Sequence, residues 1–254
     1  MGYERPYYED LNYRPLLFYV IFGVKDEELT ISRERHQVDA FPDGLEFMMY
    51  DKSEHSEYMS SMLGDPLGEM LDETNHDLYE TVQNTDRWAV IRGEVQQDED
   101  LSYMRNVIGF VQALVETGAV GVLDFQTFSL YSAQEWMDNI FMPEFHPYAH
   151  VVVLVSETED GSLWVHTRGM RKFGRPDIGV EGVAKGELDN AVEVVQQLLY
   201  YGALGAFFSR PVKLHTNSEQ TYIVRPDFVE DFDNLDYNNS YYRILWADCE
   251  LVAE

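Results

Sequence analysis

The apolar residues of this chain fall into two patterns, short continuous runs and longer stretches with helical spacing. Residues 16–24 (LLFYVIFGV) form an unbroken run rich in aromatic and β-branched side chains, which predicts a buried strand. Residues 45–50 (LEFMMY), 88–95 and 119–125 read the same way, the first of them after the turn signal Pro42-Asp43-Gly44. Helical spacing is clearest at Leu101, Met104, Val107, Ile108, Val111, Leu114 and Val115, with Gly118 placed for a left-handed stop. The acids Asp98, Glu99 and Asp100 stand where they would cap that helix and complement its dipole. A second helical stripe runs through Leu188, Ala191, Val192, Val195, Leu198 and Leu199, ending before Gly202 and Gly205. Ser132 followed by Glu135 is a capping-box pattern and opens a short helix carrying Trp136.

Period-two alternation appears on both sides of Glu159-Asp160-Gly161, so residues 150–158 and 162–167 are predicted to form a β-hairpin. That alternation sets Leu163, Val165 and Thr167 on one face and Trp164, His166 and Arg168 on the other. Further strands are predicted at 178–184, 212–216, 221–224 and 241–247, with an acidic loop at 230–236. The first fifteen residues read as an extended arm, and 53–85 as a short helix near 54–62 followed by a mobile connection. Hairpins exclude a purely parallel sheet, so the fold class is α+β, a largely antiparallel or mixed β-sheet with amphipathic helices packed on it. The chain is expected to form a single unit over 1–254. The region 53–85 is the place for a subdivision or insertion, and 143–147 is the next.

Charge changes this picture more than composition does. Against 46 acidic residues there are 18 basic ones, a formal charge of −28. Such a surface repels the phosphates of DNA and RNA, so nucleic acid is excluded as a general partner. It is suited either to plain solubility or to capture of a basic protein. The one cysteine, Cys249, rules out an internal disulfide framework and reads as a small core residue in a strand. The first residues lack the pattern of a signal peptide, and no apolar run is long enough to span a membrane, so a cytoplasmic protein without membrane contact is expected.

Candidate chemistry concentrates after the hairpin, in LWVHTRGMRKFGRPDIGVE at 163–181. Arg168, Arg171, Lys172 and Arg175 fall within eight residues of a chain with only 18 basic residues in all. Gly169 and Gly174 have the spacing that begins a phosphate-binding loop, but Arg175-Pro176 follows instead of Lys and Ser or Thr, which rejects a nucleotide loop. Two readings stand for the four basic residues. One is an anion or ligand site, since guanidinium groups fork onto carboxylates and phosphates. The other is internal pairing with acids such as Asp177 and Glu181. Gly169, Gly174, Pro176 and Asp177 shape the turn in either case. His166, on the strand feeding the turn, is the best single candidate for acid–base work, because neighbouring arginines disfavour its charged form. His146 and His150 are four apart, but Pro147 between them and an extended context make a metal site a weak reading. The acidic loop lacks the glycine and closing Glu of a calcium loop. No serine or cysteine nucleophile motif is present, and no cofactor is expected.

Trp164, His166, Thr167, Gly169, Gly174, Pro176, Asp177 and Ile178 match a box of the form W-x-H-T-x-G-x-x-x-x-G-x-P-[DE]-[IL]. The box resembles that of a group of bacterial proteins of uncharacterised role, over about residues 87–200. The resemblance implies a bacterial cytoplasmic protein and carries no catalytic assignment. The leading expectation is a non-catalytic acidic protein that binds a basic protein partner, as an inhibitor or toxin-neutralising (immunity-like) protein does. The alternative is an anion-binding sensor or hydrolase with its site at the His166–Arg175 turn.

Overall fold

The structure, a computed structural model, describes residues 3–25, 29–234 and 236–252. Seven α-helices and thirteen strands in three sheets make an α+β fold among these residues. The only parallel strand pair among the described residues lies between the eighth and twelfth strands. The chain folds as two compact units. One contains Leu16–Gln96 and Leu101–Phe145; the other contains Glu4–Pro15, Gln97–Asp100 and the chain from His146 onward.

The first unit is built on a five-stranded antiparallel sheet. In chain order it holds β1 (Leu16–Phe22), α1 (Arg33–His36), β2 (Leu45–Asp51), α2 (Lys52–Met62), α3 (Leu67–Thr74), α4 (His76–Gln83), β3 (Arg87–Glu94), α5 (Ser102–Glu116), β4 (Gly121–Asp124), β5 (Ser129–Ser132) and α6 (Ala133–Asn139). The sheet order is β2-β3-β1-β4-β5, with β1 in the middle. That position explains its unbroken apolar run, because both faces are covered. On one face Val20 and Phe22 join Trp88, Val90 and Leu123 in a core closed by Met59, Leu71 and Val82 from the helices after β2. On the other, Tyr19 meets Trp136 of α6 edge-to-face at 5.7 Å. The Ser132–Glu135 capping box is formed as predicted.

Three expectations are corrected here. The connection predicted after residue 62 is two further helices, α3 and α4, whose sparse apolar residues Leu71, Tyr79 and Val82 are nonetheless buried on one side. The N-cap position of α5 is not one of the acids 98–100. Leu101 takes the N-cap position without a side-chain bond, and the Asp98 carboxylate accepts instead from the adjacent Glu99 N–H at 2.7 Å. Cys249 lies not in a strand core but half-buried, in the turn after a 3-10 segment at Trp246–Asp248.

The second unit holds β6 (Val152–Glu157), β7 (Leu163–Arg168), β8 (Asp177–Val183), α7 (Leu188–Ala203), β9 (Val212–His215), β10 (Thr221–Val224), β11 (Asp227–Val229), β12 (Tyr241–Leu245) and β13 (Glu250–Val252). Its main sheet runs β11-β12-β8-β7-β6, and a small one runs β13-β10-β9. The predicted β6–β7 hairpin is formed, with Val152 opposite Arg168 and Glu157 opposite Leu163. The apolar stripe of α7 is buried through Ala191, Val194, Val195, Leu198 and Leu199, and the helix packs on β7 and β8. The acidic loop at 230–236 is irregular where described; Leu235 lies outside the described residues. No helix among the described residues is long and apolar enough to cross a membrane.

Candidate functional site

Between β7 and β8 the chain makes one tight excursion. Gly169 (φ 120°) breaks the strand, Met170–Phe173 form a 3-10 turn, and Gly174 (φ 59°) reverses the direction in a left-handed conformation. A Cβ on Gly174 would lie 2.7 Å from Gln97 Nε2 and 3.1 Å from the Tyr13 carbonyl oxygen, so backbone freedom and close approach both call for glycine there.

Asp177 closes the excursion. It is fully buried. Its Oδ1 accepts from Thr167 Oγ1 at 2.8 Å and from the Met170 N–H at 3.2 Å, and its Oδ2 accepts from Asn239 Nδ2 at 2.8 Å. Thr167 Oγ1 in turn accepts from the Ile178 N–H at 2.9 Å, and Asn239 Nδ2 also donates to the Arg175 carbonyl at 2.8 Å. Burial raises the Asp177 pKa to about 6, against the lowering effect of the Asn239, Thr167 and Met170 donors and of Arg168. Thr167, Gly169, Gly174 and Asp177 thus share one task, which is to shape and fasten the turn.

The basic residues do not converge on a common anion. Arg175 is 1% exposed. Its Nε donates to the Gly205 carbonyl at 3.1 Å, its Nη1 to Gln97 Oε1 at 2.8 Å and the Gly174 carbonyl at 2.9 Å, and its Nη2 to the Glu9 and Gly205 carbonyls at 2.6 Å each. The guanidinium also lies over the Tyr8 ring, 5.7 Å from its centroid. Lys172 is buried outright. Arg171 donates to the Asn238 carbonyl at 2.9 Å and lies over the Phe232 ring; Arg168 donates to the Asp236 carbonyl at 3.3 Å. These bonds go to backbone oxygens and the Gln97 side-chain amide oxygen, at separate places, rather than to a shared site or to the carboxylates of Asp177 and Glu181. Glu181 is held instead by Arg243, with contacts of 3.0–3.2 Å.

The opposite face of β7 carries an aromatic group. His166 stacks on Trp164 at 3.7 Å with 14° between the rings, and Tyr237 stands edge-on to both. Opposite His166 in the sheet is Gly179, where a Cβ would fall 1.9 Å from the Tyr237 hydroxyl oxygen. Neither Gly179 nor Tyr237 stood out in the sequence, although a glycine inside a strand is a signal of close approach. His166 is 5% exposed, and its Nδ1 has no hydrogen-bond partner among the described residues. Burial first, and Arg168 second, lower its pKa to about 4 despite the nearby Asp236. The ring is neutral at pH 7 and far from the poise of a general base working near neutrality.

His146 and His150 flank a 3-10 turn at Pro147–Ala149. His150 is 3% exposed, and burial, then Lys172 and His146, lower its pKa to about 3. The fold therefore demands the neutral ring. Its contribution is complete above the ordinary histidine pKa of about 6.5 and is lost as pH falls from there toward 3. Unfolding free energy, measured by urea titration, is expected to drop by about 1.4 kcal/mol per pH unit on this account below pH ~6. His150→Leu is expected to be less stable than the parent at pH 7 yet to show a shallower acid slope. An unchanged slope would place the titrating group elsewhere.

No protein-family model, curated protein or solved structure matches the chain.

Proposed function

We propose that this protein acts without catalysis, by binding a basic partner protein and masking its positive surface, as an inhibitor or toxin-neutralising protein does. The observation that supports this most is the way burial sorts the charges. Of 46 acidic residues only Asp124 and Asp177 are buried among the described residues, whereas Arg5, Lys172 and Arg175 are. The few positive charges are thus withdrawn disproportionately, leaving the surface more one-sided than composition implies. Such a field speeds encounter with a basic partner and disfavours acidic ones, nucleic acid included. Against the alternative of an anion-binding site at the turn, donors of Arg168, Arg171 and Arg175 already bond oxygens of the protein itself. We place the protein in the cytoplasm, where a lone Cys249 stays reduced.

The test is affinity capture from the host's extract at ~50 mM salt, followed by elution at ~500 mM, where the Debye length is under half as long. Basic proteins are expected to be retained and then released by salt. Retention of proteins no more basic than those held by a neutral control domain, or retention insensitive to salt, would refute the proposal.

A further inference from the structure

At the turn end of the β6–β7 hairpin the second unit has a cleft of about 570 Å³. Trp164 and Trp246 provide its aromatic surface, and Glu159, Asp160 and Glu181 its charge. The orientation of Trp164 matters most. One face of the indole is covered by His166, stacked at 3.7 Å, and His166 lies further along β7, away from the hairpin turn. With His166 on that side, the other face is directed back toward the hairpin turn, whose Thr158, Glu159, Asp160 and Ser162 line the cleft together with Trp164. Glu159 is exposed, and neither it nor Asp160 forms an ion pair among the described residues. Asp160 Oδ1 accepts from the Thr158 hydroxyl at 2.6 Å and from the Ser162 hydroxyl and N–H at 2.7 and 3.0 Å, which fixes the carboxylate in the turn while Oδ2 takes no hydrogen bond among the described residues. The neighbouring cations are already held: Lys185 by Glu157 at 2.9 Å and Arg243 by Glu181 at 3.0 Å.

An open indole face beside uncompensated carboxylates suits one kind of group. A guanidinium is planar enough to stack on tryptophan, is weakly hydrated, and forks onto carboxylate oxygens; an ammonium matches only the charge. We propose that this cleft holds an arginine side chain of the basic partner, with the guanidinium on the free face of Trp164 and directed at Glu159 and Asp160. The occupant's identity as a partner residue rests on the function proposed above; the guanidinium site itself does not.

The experiment titrates the ¹⁵N-labelled full chain with N-acetyl-arginine amide and, separately, with the neutral N-acetyl-citrulline amide, following the indole N–H resonances. The Trp164 resonance is expected to move with the arginine compound and to stay with citrulline. Glu159→Gln, which removes a charge but no turn hydrogen bond, is expected to weaken binding ~3-fold, the scale of an exposed charge pair. Glu219→Gln, the same change in the exposed β9–β10 turn of the same unit, is expected to leave it unchanged. Equal shifts with citrulline, or equal weakening by the two substitutions, overturn the proposal in favour of a merely apolar cleft or a diffuse field. The captured basic partner separates the two claims. If Glu159→Gln and Trp164→Leu, each confirmed folded, bind it as the parent does, the cleft assignment falls while the proposed function stands. If no basic protein is retained but arginine amide still titrates Trp164, the proposed function falls and the guanidinium site remains.

Discussion

Asp177→Ala is expected to lower the stability of the second unit by about 3–5 kcal/mol, the range found when a buried charged hydrogen-bonding group is deleted and its partners stay behind. Three donors would lose their acceptor at once: the Thr167 hydroxyl, the Met170 N–H and the Asn239 amide. None can turn to solvent, since Thr167, Met170 and Asn239 are themselves buried. The loss propagates, because Thr167 also receives the Ile178 N–H at the start of β8. Asp177→Asn separates shape from chemistry. Its amide oxygen can serve Thr167 and Met170, but its NH₂ would face the Asn239 NH₂, so an intermediate loss is expected. Urea unfolding followed by tryptophan fluorescence measures both variants. A loss below ~1 kcal/mol for Asp177→Ala would mean the turn holds its shape without this carboxylate.

The second large effect is expected at Arg175. Arg175→Met keeps most of the aliphatic stem and removes the guanidinium, leaving the carbonyls of Gly205, Glu9 and Gly174 and the Gln97 amide oxygen without these donors. About 3 kcal/mol or more is expected to go, on the scale of several buried acceptors losing a charged partner. The distinctive readout is local. Glu9 belongs to the N-terminal arm, so limited proteolysis within residues 6–15 should accelerate in the variant well below its unfolding temperature. Arg175→Lys, which restores the charge but not the fork, is expected to rescue only part of the loss. Equal protection of the arm in parent and variant would show that other contacts hold it.

The fold was legible wherever a local pattern determines local structure. The stripes of α5 and α7, the Ser132–Glu135 box and the β6–β7 hairpin all depend on residues within about one or two turns of each other. Helices α3 and α4 escaped because Leu71, Tyr79 and Val82 are few and set among polar residues, and their burial is decided by the distant sheet. Strands β11 and β13 have three residues each, too short to show a period. The site was half legible for a related reason. A cluster of arginines between two glycines can be seen in the sequence, but the destination of each guanidinium cannot. Arg175 bonds residues 9, 97, 174 and 205, and Asp177 bonds residue 239, so long-range topology alone distinguishes an anion fork from an internal fastening.

The Arg175 fastening also limits how this molecule can be taken apart. Its acceptors lie on three pieces of chain, Glu4–Pro15, Gln97–Asp100 and the segment from His146 onward, all of which belong to one compact unit. No single cut therefore liberates that unit. A fragment beginning at His146 would carry the arginine without Glu9 or Gln97. A workable one would need two junctions, residue 100 to residue 146 and residue 15 to residue 97, the latter across a gap that Gln97 already bridges by donating to the Tyr13 carbonyl. In the growing chain the same arithmetic makes the early arm wait for Arg175 and Gly205, long after the residues of the first unit have been made.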